Sequence, residues 1–407
     1  MRPNCFEQFQ DAGELFLLHT SELQEEGRKV AGVYCLFAPV EIMRAAGAMP
    51  VSLCGKRDQP IADAEKTLPA NLCPLIKSSY GYAVTDTCPF FAASDFLIAE
   101  TTCDGKKKMY EFLGRLKPLH LMHLPHSSDG PHALRAWYEE ILRLRSFIEE
   151  STGQTIDEDY LRFQIQIHNK IRRLMRRISR FQADAKIPIS GLDMLTVMET
   201  KSFFVSSENY INLLEKFITE MEVIAAGGFS PFEPNAPRVL LTGCPVGKGS
   251  EKVLRMIEKC GGAVVCMESC SGVKGLDLLV DEEEEDPFLA IARRYLQIPC
   301  SCMTPNTGRL ALLNCLIGEY RIDAVVDLTW QFCHTYNIES RMIGDCVENL
   351  HGLPFLHVET DYSNSDVEQL RTRIEAFLEM AKSQSSVATP HGVPALWLGS
   401  GTKTSSS

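Results

Sequence analysis

A chain of 407 residues with 45% hydrophobic and 23% charged residues has an ordinary globular composition, and it is longer than one hydrophobic core usually supports, so two or three lobes are expected. A formal net charge of −12 speaks against a nucleic-acid partner, because that affinity rests on Lys and Arg neutralising phosphates. The start MRPNCFEQFQDAGELF lacks the pattern of a secretory signal and no apolar run approaches the roughly 18–20 residues that cross a bilayer, so a cytoplasmic protein without a membrane partner is expected.

Residues 1–130 read as alternating strands and helices. Strand-like runs at 29–35, 48–53, 95–101 and 118–124 are separated by helical patterns such as PVEIMRAAG and DGKKKMYEFLGRL, which is the alternation of a parallel sheet. Across 131–231 the period changes: LRAWYEEILRLRSFIEE, EDYLRFQIQIHNKIRRLMRRISRFQ and NYINLLEKFITEMEVIAA all carry apolar residues at helical spacing, with no strand between them. The arginines of IRRLMRRISR are expected on a solvated helix face. From the turn-like FEPNAP onward, residues 232–385 resume the alternation with PRVLLTG, EKVLRMIEKCG, GAVVCMES, DAVVDLTW and PFLHVETD. The tail 386–407, ending GSGTKTSSS, is expected to be disordered. The predicted fold class is therefore α/β: two doubly wound, Rossmann-like parallel-sheet lobes with a helical domain between them and a crevice where their strand ends face each other.

Several chemistries are demoted by what is missing. TGCPVGKGSE at 242–251 follows a strand, but only three residues separate Gly243 from Gly247, and Gly249 follows Lys248, so it is not a phosphate-cradling P-loop. No GxGxxG, HExxH or GxSxG pattern occurs, and the acidic run Asp281–Asp286 reads as a solvated loop.

The cysteines remain. Fifteen of them in a reducing compartment point to metal ligation, redox chemistry or burial rather than a disulfide framework. Cys35 closes KVAGVYC, Cys103 closes FLIAETTC, Cys270 closes GAVVCMESC, and Cys333 follows DAVVDLTWQF. Ligands bind at the carboxyl ends of strands in open α/β sheets, so thiols collected there would converge on one crevice, and an iron–sulfur cluster is the best reason for convergence. Cys73 and Cys88 each precede proline, Cys103 precedes Asp-Gly, and Cys302 sits in CSCMTPN, turns whose N–H groups can donate to cluster sulfides. Cys5, Cys260, Cys266, Cys315 and Cys346 are expected to be structural, while Cys54, Cys244 and Cys300 are left open.

At these segments the chain resembles the 2-hydroxyacyl-CoA dehydratase superfamily over nearly its whole length, on GVYCLFAPVEIMRAAGAMPVSLCG, LPANLCPLIKSSYGYAVTDTCPFF, IAETTCDGKKKMYEFL, LLTGCPVG, SCMTPNTGRL, FCHTYNIES and HVETDYSNSDVEQLRTRIEAFLEM. The resemblance implies two α/β lobes plus a helical region, and a [4Fe–4S] cluster held by three cysteines, which fall on Cys73, Cys103 and Cys333. Extra cysteines at Cys88, Cys270 and Cys302 resemble the double-cubane-cluster branch, in which one chain holds an [8Fe–9S] pair of cubanes on six thiolates. That second trio is inferred from context, with Cys35 in reserve.

The resemblance further implies a separate ATP-hydrolysing activator with its own iron–sulfur cluster, which drives an electron to the strongly negative end of the cluster range, about −700 mV. Each ~59 mV is a factor of ten for one electron, so coupling to ATP is what makes such a transfer feasible. The leading expectation is an ATP-dependent reductase of a small molecule, acting as a homodimer. The alternative is a dehydratase subunit, part of a heterodimer, that removes water from an (R)-2-hydroxyacyl-CoA through a ketyl radical at one [4Fe–4S] cluster. A carrier that stores electrons without its own substrate is a third possibility. His334, beside Cys333, is the candidate catalytic proton donor, with Glu100 and Glu339 as further candidates.

Overall fold

The computed structural model describes residues 1–385, so the tail expectation for 386–407 lies outside the described residues. The first sheet contains β1 (Val30–Val33), β2 (Met49–Ser52), β3 (Phe96–Glu100) and β4 (Leu119–Met122), all parallel, in the order β2-β1-β3-β4. Every residue of β1 and β3 is buried, which is why these runs are continuously apolar instead of alternating: helices cover both faces. The second sheet, β5 (Arg238–Gly243), β6 (Ala263–Glu268), β7 (Ala324–Trp330) and β8 (Phe355–Thr360), is also parallel, in the order β6-β5-β7-β8.

The two orders are one order written twice. β1, β2, β3 and β4 correspond to β5, β6, β7 and β8, so each lobe has its switch point between its first and third strands. The expected α/β class with two parallel-sheet lobes is what the chain adopts. Between them run the helices Pro131–Thr152, Glu158–Arg180, Gly191–Glu199 and Ser207–Ala226, with no strand.

The helix Glu158–Arg180 departs from expectation. Its buried stripe includes Leu161, Ile165, Ile171, Met175 and Ile178, but Arg172 and Arg176 are buried as well. Arg172 pairs with Glu41 of the first lobe and donates to Tyr295 Oη at 3.2 Å; Arg176 reaches Asp277 Oδ1 at 2.5 Å, Tyr320 Oη at 2.8 Å and Glu319 in the second. Only Arg173, Arg177 and Arg180 occupy a solvated face, each with more than half of its side chain exposed. The reason is position: this helix lies between both lobes, and its inward arginines are satisfied by carboxylates that a sequence separation of more than a hundred residues conceals. The acidic run is likewise tied down rather than simply solvated. Asp286 accepts from Phe288 N, Leu289 N and Tyr138 Oη (2.9, 3.2 and 2.5 Å), while Glu282 accepts from Asn169 and Arg173.

The lobes also touch directly: Tyr362 Oη donates to Gly55 O at 3.1 Å, with the Tyr362 ring set edge-on to Trp330. Among the described residues no helix is long and apolar enough to cross a membrane.

Candidate cluster-binding crevice

Strand correspondence places the thiols. Cys35, Cys54 and Cys103 lie just beyond the carboxyl ends of β1, β2 and β3, and Cys244, Cys270 and Cys333 lie just beyond those of β5, β6 and β7. Six cysteines thus occupy equivalent positions in two lobes. Gly243 makes the approach possible at β5: its φ is +106°, and a Cβ there would lie 2.2 Å from Leu328 O. At β7 the turn is made by Phe332, a bulky residue held at φ +63° immediately before Cys333.

Helix starts orient several of these sulfurs. Cys73, Cys88, Cys103 and Cys333 are the N-cap residues of the helices Pro74–Val84, Pro89–Ala93, Asp104–Leu113 and His334–Asp345. Proline follows Cys73 and Cys88 because its missing N–H is not needed in a first helical turn. Main-chain N–H groups then point at sulfur: Phe91 N to Cys88 Sγ at 3.4 Å, Lys106 N to Cys103 Sγ at 3.5 Å, and Trp330 N to Cys244 Sγ at 3.4 Å. Such donors favour thiolate over thiol.

Two groups form. In one, the thiols of Cys73 and Cys244 both hydrogen-bond to Cys333, holding it well below the usual thiol range, while Cys73 and Cys244 are themselves raised. In the other, the Cys302 thiol bonds to Cys300 and holds it down at about 6, while Cys302 is raised by the same contact. Cys35 and Cys270 adjoin this second group, and burial raises both, Cys270 to about 11. Cys103 stands between the two and is acted on by Cys333 and by Cys300.

The surroundings are cationic. Lys106 Nζ donates to Tyr34 O at 3.1 Å, Lys201 Nζ to Cys270 O at 2.9 Å, and the fully buried Lys274 pairs with Glu268 at 3.0 Å and donates to Tyr336 Oη at 3.1 Å. Arg309, also fully buried, pairs with Glu339 and donates to Glu268 Oε2 at 3.2 Å and Thr242 Oγ1 at 2.8 Å, fastening the helix that starts at Cys333 to β5 and β6. A cavity of about 890 Å³ opens beside this region, and Cys35, Cys54, Cys88 and Cys270 line it.

Of the predicted ligands, Cys73, Cys103 and Cys333 come from both lobes to one place, and Cys270 and Cys302 meet around Cys300. Cys88 lines the cavity with Cys35, Cys54 and Cys270, and its charge is felt by Tyr34 and Tyr82. His334 is exposed at its helix start and is not part of the cavity wall. Glu339 is engaged with Arg309 and with Asn306 Nδ2 at 2.6 Å, whereas Glu100 is wholly buried without a side-chain partner, and burial raises it to about 8. Of the five cysteines expected to be structural, Cys5 and Cys266 are core residues, but Cys315 is exposed. Cys244 and Cys300, which the sequence does not decide, belong to the groups; the signal for Cys244 is its place after PRVLLTG, as Cys35 follows KVAGVY.

Among the described residues no three His, Cys, Asp or Glu side chains stand where one metal ion could be held. A cluster asks for something else: soft thiolate donors spread around a body several ångströms wide, with N–H groups and cations to offset its negative charge. Thiols from two lobes, N-cap geometry and the ring of Lys106, Lys201 and Lys274 meet that requirement.

Comparison with known proteins identifies the family. Residues 35–381 match the family model described as 2-hydroxyglutaryl-CoA dehydratase, D-component. The chain belongs to that family. It is 44% identical over 378 residues to YjiM of Escherichia coli (strain K12), a protein named as a dehydratase subunit, covering 93% of this chain and 98% of that one. It is 23% identical to the lactoyl-CoA dehydratase subunit beta of Anaerotignum propionicum (88% and 92% covered) and 19% identical to the (R)-2-hydroxyglutaryl-CoA dehydratase subunit beta of Acidaminococcus fermentans (92% and 98% covered). The chain is thus an enzyme of the 2-hydroxyacyl-CoA dehydratase family.

Proposed function

We propose that this enzyme is an ATP-dependent, low-potential reductase of a small molecule, holding an [8Fe–9S] double cubane and receiving electrons from a separate ATP-hydrolysing activator. The observation that carries the reading is the surplus of convergent thiols. One cubane with an open iron needs three protein ligands, yet Cys35, Cys73, Cys103, Cys244, Cys270, Cys300, Cys302 and Cys333 gather in two adjoining groups that span both lobes. Six thiolates drawn from Cys73, Cys103, Cys333, Cys270, Cys302 and Cys35 would hold two cubanes. Cys35 is preferred to Cys88 because it acts on Cys302 and is acted on by Cys270 and Cys300.

When bound, the cluster supplies electrons at a potential that ordinary ferredoxins do not reach. The chain's own contribution is to exclude water, offset the cluster's charge with Lys106, Lys201 and Lys274, and offer a proton from the buried, raised Glu100 at the end of β3. A homodimer in the cytoplasm is the proposed working form.

The names of the relatives favour a second reading, a 2-hydroxyacyl-CoA dehydratase subunit with one [4Fe–4S] cluster and a partner subunit. Iron and acid-labile sulfide per anaerobically purified chain separate the two. About eight irons per chain supports the reductase; four would transfer the proposal to the dehydratase.

A further inference from the structure

The cations around the thiols are not spread evenly. Lys106 Nζ donates to Tyr34 O at 3.1 Å, beside Cys35, and Lys201 Nζ donates to Cys270 O at 2.9 Å and Gly272 O at 3.4 Å. Their acceptors are main-chain carbonyls, and neither lysine forms an ion pair among the described residues. Lys274 differs, because it pairs with Glu268 at 3.0 Å. Of the carboxyls that act on the two unpaired lysines, Glu100 is raised by burial to about 8 and Glu199 is held by Lys56. Lys106 and Lys201 line the large cavity together with Cys35 and Cys270, whereas Cys73, Cys244 and Cys333 do not. Lys106 acts on Cys35 and Cys300, and Lys201 on Cys270. The other side is furnished with neutral groups: Cys73, Cys244 and Cys333 meet one another, Trp330 N at 3.4 Å from Cys244 Sγ, and the Thr335 hydroxyl, 3.9 Å from Cys333 Sγ.

An enclosed cation without counter-charge is costly until negative charge meets it, and an iron–sulfur centre gains negative charge when it is reduced. A whole ammonium charge favours that gain more than a neutral hydrogen-bond donor does. We propose that Lys106 and Lys201 give the site a polarity: an added electron settles first at the end held by Cys35, Cys270 and Cys302, on the cavity side, and only a second one at the end held by Cys73, Cys103 and Cys333. Lys106 also acts on Cys103, which stands between the ends, so Lys201 is the more selective of the two. The step is the transfer of one electron from an external low-potential reductant, with no bond made or broken. Its consequence is that the reducing equivalent waits where a small molecule enters. This inference rests on the two-cubane reading above.

Reductive titration of the anaerobically purified holoprotein with titanium(III) citrate, followed by electron paramagnetic resonance, tests it. Two one-electron steps should be resolved. Lys201→Met should make the first step about tenfold or more harder, a lowering of at least ~59 mV, with iron content unchanged and the second step moved less. Lys201→Arg, which keeps the charge, should titrate as the wild type does. Lys106→Met should also lower the first step, and it carries the test should Lys201→Met fail to fold. Two electrons entering in one step, a first step unmoved in the folded variants, equal shifts of both steps, or a Lys201→Arg variant that behaves as Lys201→Met would each overturn the polarity. Iron is counted separately: any of these results with about eight irons per chain removes the polarity and leaves the reductase standing, while about four irons removes the reductase and the polarity with it.

Discussion

Cys103 and Cys333 occupy the same place in the two lobes: each is the N-cap of the helix that follows the third strand of its sheet, and the charge of Cys333 acts on Cys103 across the crevice. Residues 230 positions apart are therefore neighbours by topology, and the site depends on both halves of the chain being folded.

Removing a thiol at the centre of this arrangement should remove metal. Cys333→Ser or Cys73→Ser is expected to cost at least one cubane's share of iron and sulfide, whereas Cys88→Ser and the exposed Cys315→Ser should retain the full complement. Metal analysis with low-temperature electron paramagnetic resonance reads the difference. Full iron in Cys333→Ser would dismiss the ligand assignment.

Arg309 is a stability prediction. It is completely buried and serves Glu268, Glu339, Asp327 and Thr242 together, so Arg309→Met leaves buried carboxylates without their cation. A loss of about 3–5 kcal/mol is expected from urea unfolding. A loss under about 1 kcal/mol would mean that water or rearrangement satisfies the carboxylates.

Gly243→Ala tests the strand-end geometry. The new methyl would meet Leu328 O in a backbone conformation that L residues rarely adopt, displacing Cys244 from Cys333. About 1–3 kcal/mol of destabilisation is expected together with reduced iron loading. Wild-type melting and iron content in the variant would refute the close approach.

Glu258 should govern part of the pH dependence. Burial raises its carboxyl to about 7, above an ordinary 4.5, although Gly191 N and Leu192 N donate to it. A raised carboxyl contributes stability that is complete below pH 4.5 and lost as the pH rises through about 7. Glu258→Gln should therefore flatten the decline between pH 5 and 8 and stabilise the protein at pH 8 by on the order of 2 kcal/mol. Parallel declines for both proteins would remove Glu258 from the account.

Much of the fold was legible because both sheets are parallel and buried, giving continuous apolar runs that alternate with helical periods. Strand-end cysteines such as Cys35 and Cys103 could be recognised for the same reason. What stayed hidden were relations across the chain. Whether Arg172 faces water or Glu41, whether Cys244 reaches Cys73 and Cys333, and which cations surround the thiols depend on how three bodies pack, and no local pattern records that. His334 follows Cys333 in sequence and is exposed, while Cys333 is half-buried, so adjacency in the chain does not fix what a side chain faces.

The helix Glu158–Arg180 holds the first lobe through the buried pair of Arg172 with Glu41 and the second through the inward Arg176, whose carboxylate partners Asp277 and Glu319 reach the surface. Parting the lobes along this helix would leave Arg172 and Glu41 buried without each other, which is the costlier of the two separations.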